Sequence, residues 1–351
     1  MRQRLMAGIV GLALVAASCG DDAADTTAEP AEPDGTTAPT VETPPATTVP
    51  PTTSSASEPA SAPETTQATE TTSVPETAPA TTPETTEPSG DGLRIVSLSP
   101  ALTEMVFAID ADDLLVAVDS FSNYPEEAFD LPHELSAYEP NVEAIAGYEP
   151  DVVLISGDFT GLGDQLEPLG IEIWDGPAAV TLDDTYAQLQ GLGELTGRED
   201  EADAVVEGMQ DDIAEIVAGL PAVPEEPLTY FHELGPELYT ATSDTFIGAV
   251  YGLLGLENIA DAAADETQYP QLNAEFLIDA DPDLIFLADT KCCGESLDTV
   301  AERPGWGTIA AVHNGAVIEM DDDIASRWGP RIVDYLRIAA DAVAAQTAPA
   351  T

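Results

Sequence analysis

Short apolar runs recur through the first half of the folded sequence: "RIVSLS" from Arg94, "LLVAVD" from Leu114, "DVVLIS" from Asp151 and "IEIWDG" from Ile171. Runs of this length, bounded by polar and turn-forming residues, predict buried strands. Ser99, Pro100 and Glu104 read as a capping serine, a proline at the first helical position and an acid in the first turn. They predict a helix that begins directly after the first strand. A second set follows Pro227, with "LTYFHEL", "DLIFLAD" and "AVIEMDD" as strands and helical segments near Phe246 to Leu254, Ala274 to Ala280 and Arg331 to Ala345. Between the sets, Asp183 to Leu195 and then about Glu199 to Leu220 read as helix. The second of these carries alanine, valine, isoleucine and methionine at helical spacing with no internal proline. Strands alternating with helices build parallel sheets with crossover connections. The pattern therefore predicts an α/β chain of two lobes with central, mostly parallel sheets joined by one long helix.

The two halves share a local signature. In "NVEAIAGYEPDVVLI" Glu143 stands seven residues before Pro150, and in "LNAEFLIDADPDLIFL" Glu275 stands seven before Pro282, each Pro-Asp then leading into an apolar strand. Matched acids at matched positions suggest matched halves.

Composition separates the folded part from what precedes it. Residues 1–19 combine Arg2 and Arg4, an apolar stretch from Leu5 to Ala17 and "AASCG", the zones of a secretory signal. The apolar stretch is short of the roughly 20 residues that a membrane span needs. Ala-Ala-Ser before Cys19 resembles the lipobox of bacterial lipoproteins, which implies lipidation at Cys19 and anchoring to the outer face of the cytoplasmic membrane. Residues 20–92 are Thr, Pro, Ala, Ser and Glu with almost no large apolar side chain, too little to offset chain entropy, and are expected to form a disordered linker. The remainder divides into an N-terminal lobe at 93–182, connecting helices at 183–220, a C-terminal lobe at 221–346 and a tail at 347–351. The chain has 66 Asp and Glu against 9 Lys and Arg, a formal charge of −57. That excludes nucleic acid and an anionic membrane surface as partners. Beyond Cys19 only Cys292 and Cys293 remain, so no disulfide framework holds the fold.

In order and spacing, "RIVSLSPALTEMVFAI", "SNYP" from Ser122, the two Glu-to-Pro-Asp units, "RPGW" before "AVHNGAVIEM", and "RWGPRIVDYL" resemble the ABC-importer solute-binding proteins for vitamin B12, ferric siderophores and haem. The likeness runs over Arg94 to Val343. It implies two lobes bridged by a single rigid helix, with ligand held between them at the carboxyl ends of the strands, where open parallel sheets generally bind ligands. On that layout the ligand-binding candidates are Ser99, Pro100, Phe121, Tyr124, Asp158, Phe159, His232, Glu233, Tyr269, Arg327 and Trp328. The aromatic members suit a broad, flat chelate. The resemblance implies that Glu143 and Glu275 meet arginines on the two copies of an ABC permease, with its ATPase behind, and that the protein acts as a monomer. It implies no cofactor of the protein's own, because the cargo carries its iron or cobalt.

Other readings are weaker. A direct zinc or manganese receptor needs clustered ligands, and His133, His232 and His313 are scattered along the chain. An exported hydrolase built on Ser99 and His232 lacks the Gly-x-Ser-x-Gly elbow. A surface adhesin or sensor on the same fold would not keep both Glu143 and Glu275. Cys292-Cys293, expected on a loop at the cleft rim, can close only a strained ring.

Overall fold

Strands buried on both faces require helices above and below them, and a parallel sheet supplies those helices as crossovers. The computed structural model describes residues 92–221, 226–263 and 267–347. The expected signal segment with Cys19, the linker up to residue 91 and the tail beyond Thr347 lie outside the described residues. Strands β1 Ile95–Ser97, β2 Leu115–Val118, β3 Val152–Ile155 and β4 Glu172–Asp175 form an all-parallel sheet in the order β2-β1-β3-β4. Strands β5 Thr229–Glu233, β6 Glu257–Asn258, β7 Leu284–Leu287 and β8 Val317–Glu319 form a second, ordered β6-β5-β7-β8. The second order repeats the first. The sequence pattern missed β6, since two residues carry no period.

Helices α1 Pro100–Ala108, α2 Val142–Gly147 and α3 Leu162–Leu166 belong to the first lobe, and α4 Leu182–Thr196 and α5 Glu199–Ala218 connect it to the second. There α6 Phe246–Leu253, α7 Ala274–Ala280, α8 Thr290–Cys293, α9 Leu297–Glu302, α10 Ala310–Asn314, α11 Asp322–Ser326 and α12 Ile332–Thr347 surround the sheet. The connection is a helical hairpin. Thr181 and Asp184 close a capping box at the start of α4, Gly197 turns the chain in a left-handed conformation, and α5 returns along α4. A Cβ at Gly193 would lie 2.7 Å from that of Ala202, so glycine sets how closely the two helices approach. Ala202, Val206, Met209 and Ile213 form the buried stripe of α5. One apolar cluster runs from Ile95, Leu102 and Leu154 of the first lobe through α4, α5 and α12 to Phe231, Ile285 and Leu287 of the second. A smaller cluster, including Val96, Ile145, Val153 and Ile155, covers the other face of the first sheet.

The duplication extends to single hydrogen bonds. Asn141 caps α2 by accepting from the Ala144 amide at 3.1 Å, and Asn273 caps α7 by accepting from the Phe276 amide at 2.9 Å. Left-handed residues follow, Glu149 at φ 49° and Asp281 at φ 46°. The aspartate of each Pro-Asp then accepts from the strand beside it: Asp151 from the Arg94 amide at 2.8 Å and Asp283 from the Thr229 amide at 2.9 Å. Glu143 and Glu275 are thus equivalent, exposed positions in the first turn of equivalent helices.

Glu104 differs from its expected role. It lies beyond the first turn of α1 and is buried, where it holds two arginines of the C-terminal lobe. Arg327 donates to Glu104 Oε1 at 2.8 Å, and Arg331 donates through Nε to Oε2 at 2.9 Å and through Nη2 to Oε1. Removing one partner of a buried ion pair leaves uncompensated charge. Glu104→Gln should therefore lower unfolding free energy by about 3–5 kcal/mol in urea titrations, and a change near zero would show that the pair does not couple the lobes.

Candidate functional site

The carboxyl ends of β1 and β3 point into a cavity of about 440 Å³. Its floor is Ser99 and Pro100, where β1 passes into α1. Ser99 accepts from the Leu102 amide as helix cap and also accepts the Ser156 hydroxyl at 2.6 Å. Beyond β3 the chain turns through Gly157 at φ 89°, and the Phe159 ring folds back to within 2.5 Å of where a Cβ on that residue would stand. Glycine is required there twice over, by torsion and by space. Asp158 then caps α3, accepting from the amides of Leu162 at 2.7 Å and Gly163 at 3.0 Å. Phe121 and Tyr138 meet edge to face at 5.9 Å. Phe121, Tyr138 and Phe159 stay 53%, 79% and 92% exposed, an apolar rim without a partner. The opposite wall comes from the C-terminal lobe: Asp323, Ser326, Arg327 and Trp328. The Trp328 indole donates to Gln188 of α4 at 3.0 Å and packs against Phe246 at 6.1 Å, which fixes its plane.

The polar groups of this cavity are largely committed to the protein. Arg327 is 8% exposed, and both terminal nitrogens use both hydrogens: Glu104 and Asn123 Oδ1 on one, Phe121 O and Asp323 Oδ1 on the other. It clamps the lobes instead of offering a free fork to a ligand. Asp119 accepts the Ser122 hydroxyl at 2.6 Å, and Ser122 is bonded in turn to Thr103 and through it to Ser97. Burial raises the Asp119 carboxyl above its ordinary range. The lining carries three carboxylates and one guanidinium whose terminal nitrogens are both engaged.

Seven of the eleven expected ligand residues line this cavity: Ser99, Pro100, Phe121, Asp158, Phe159, Arg327 and Trp328. Four lie elsewhere. The Tyr124 ring sits beneath the Arg331 guanidinium, 4.0 Å from its centroid, and lines a separate hollow of about 520 Å³ with Phe107, Met209 and Arg337. Tyr269 is on the C-terminal lobe, outside the lining, half-exposed in the segment that pairs with Tyr239 after β5. His232 and Glu233 are corrections, because both are wholly buried. The His232 imidazole bonds the Tyr251 hydroxyl at 2.8 Å inside an aromatic cluster with Tyr335, and burial holds its pKa down to about 3. Glu233 is held by Arg303 from both terminal nitrogens, with Glu295 completing the group at 2.7 Å from Arg303. Tyr138 and Asp119 were not among the expected residues. An aromatic in the non-periodic loop "LSAYEP" was the available signal for Tyr138; for Asp119 only its place directly after a strand run was available.

Beside Glu233 lies Asp289, buried, with neither carboxylate oxygen meeting a donor. Burial and the facing Glu233 carboxylate push its pKa up to about 7, Glu295 acting with them and Arg303 against. The folded state thus holds a proton that the unfolded chain releases near pH 4. Stability from this group is complete below pH 4 and is lost as pH rises through about 7. Asp289→Asn should remove that slope and stabilise the protein at pH 8 by on the order of 1–3 kcal/mol. Urea midpoints of both proteins at pH 5 and pH 8 decide it; identical slopes would refute the buried-proton account.

Among the described residues no group of three or more His, Cys, Asp or Glu side chains could hold a metal ion. His133 and His313 are exposed and far from His232 in the sequence. Cys292 and Cys293 stand on the short helix α8, where a loop was expected, and both are exposed.

A family model described as periplasmic binding protein matches residues 95–324. An ABC transporter substrate-binding lipoprotein of Bacillus subtilis, YvrC, is 29% identical over 257 residues, covering 71% of this chain and 79% of its own length. A cobalamin-binding protein of Halobacterium salinarum is 30% identical over 259 residues, 71% of this chain and 69% of its own. Among solved structures, the periplasmic haem-binding protein HutB of Vibrio cholerae superposes with a TM-score of 0.63 at 25% identity, over 71% of this chain and 98% of that one.

Proposed function

Because the chain belongs to the periplasmic binding protein family, we propose that it captures a metal chelate without net negative charge, a corrinoid of the cobalamin class, and delivers it to an ABC permease. The chain is an extracytoplasmic solute-binding protein of an ABC transporter. The observation that carries the ligand class is the charge of the cavity: Asp119, Asp158 and Asp323 line it, and its one guanidinium has both terminal nitrogens occupied by Glu104, Asn123, Phe121 and Asp323. Haem presents propionates and ferric catecholates present several anionic oxygens, each needing a cationic partner that this wall does not offer. A corrin edge of neutral amides meets hydroxyls and carboxylates without that penalty. Phe121, Tyr138, Phe159 and Trp328 supply apolar faces for the macrocycle. The cobalamin-binding relative from Halobacterium salinarum supports the same reading.

The duplication supports the delivery reading. Glu143 and Glu275 project from equivalent helices of the two lobes, and a two-fold permease presents the same basic pocket twice. Lipid at Cys19 and the linker 20–92 tether the protein, acting as a monomer, to the outer face of the membrane.

In isothermal titration, cyanocobalamin should bind the full chain one to one, with haemin and a ferric tris-catecholate at least about tenfold weaker, ~1.4 kcal/mol. Tighter binding of haemin would overturn the ligand class. Phe121→Ala should weaken cobalamin binding by about 0.5–1.5 kcal/mol. Delivery is tested separately: Glu143→Arg with Glu275→Arg should leave the titration unchanged and abolish transport by the cognate permease, and normal transport by that variant would sink the docking role.

A further inference from the structure

We propose that Cys292 and Cys293 form a redox modification site, closing to a vicinal disulfide by exchange with an external disulfide, and that closure loosens the C-lobe wall of the ligand cavity. The pair is the last two residues of α8, adjacent in the chain and both exposed. An extracytoplasmic protein meets disulfide oxidants. The steps balance: Cys293 attacks the reagent disulfide and expels one thiolate, leaving a mixed disulfide. The Cys292 sulfur then displaces the second thiol, giving one intramolecular S–S bond and two reduced reagent thiols. Cys293 leads because burial, the neighbouring thiol and the Asp322 carboxylate push the Cys292 pKa up to about 12 and so keep it from forming thiolate. Adjacent Cα atoms are ~3.8 Å apart, below the ~4.4–6.8 Å that disulfides favour. Such a ring is strained and easily reduced, as reversible disulfides are.

What makes the site consequential is its attachment. The α8 backbone is fastened to α11 through one carboxylate: Asp322 accepts from the Lys291 amide at 3.0 Å, the Cys292 amide at 2.8 Å and the Thr290 hydroxyl at 3.0 Å. Lys291 Nζ adds Asp321 at 2.6 Å and Asp323 at 3.1 Å. Asp323 lines the cavity and holds Arg327, which clamps Glu104 of the other lobe. Ring closure draws Cys292 and Cys293 out of helical torsions. It must therefore strain the Cys293 amide bond to Asp289 O, at 3.2 Å, and that of Gly294 to Thr290 O, at 3.1 Å. The Cys292 amide turns away from Asp322 at the same time, freeing the first turn of α11.

The full chain is treated with dithiodipyridine, and the peptide containing Cys292 and Cys293 is weighed. The expected product is lighter by two hydrogen atoms and returns to the starting mass with dithiothreitol. Hydrogen exchange at amides 322–326 should then be about tenfold faster than in the reduced protein. Cys292→Ser with Cys293→Ser should keep slow exchange in the same reagent. Recovery of mixed disulfides alone, a ring with unchanged exchange at α11, or the same acceleration in the serine variant would each overturn the proposal.

Discussion

Glu104 lies 223 residues from Arg327 and 227 from Arg331, and the three meet where the lobes touch. Each charge is withdrawn from water, so each is tolerable only while the others are in place. Two arginines against one carboxylate leave positive charge to be matched. Asp323, the Phe121 carbonyl and Asn123 match it, with the Tyr124 ring beneath Arg331. Two regions remote in sequence thus meet at one knot: α1 with the chain after β2, and α11 with the turn into α12. The cavity wall at Arg327 and Asp323 and the relation of the two sheets depend on it.

The same knot determines what the cavity can offer a ligand. Five of the described bases sit in ion pairs, and Arg94 holds the backbone carbonyls of Tyr148 and Glu149. In a chain so poor in cations, structural use of arginine leaves none free at the binding wall. Structure and specificity therefore draw on the same few residues. A cation needed to hold the lobes cannot also present four open donors to an anionic cargo.

On the C-terminal lobe, polar side chains at strand ends turned inward. Glu233 ends β5 and Asp289 follows β7, and both are closed over by Arg303, which enters between α9 and the next turn and lies 4.5 Å over the Trp306 ring. That arrangement needs a base some 70 residues away in sequence. Without it two buried carboxylates side by side would be untenable. The cavity consequently leans on the first lobe, with the second contributing the stretch from Asp323 to Trp328.

Local signals were sufficient for much of this protein. Short runs rich in apolar residues locate seven of the eight described strands, Ser99-Pro100 marks the start of α1, and the equal spacing of Glu143 and Glu275 from Pro-Asp reveals the duplication, because each depends on neighbours within a few residues. Ser99, Phe121, Asp158, Phe159 and Trp328 were expected at the cavity from the family resemblance together with strand-end position, since crossovers in a parallel sheet put strand ends on one side. The fates of Glu104, Arg327, His232 and Glu233 were settled only by tertiary structure. A charged side chain at a strand or helix end reads the same whether it faces a ligand or a buried counter-charge. For Glu104, Arg327 and Glu233 the deciding partner lies 70 to 227 residues away, and for His232 the Tyr251 hydroxyl lies 19 residues away; each is brought close only by tertiary packing.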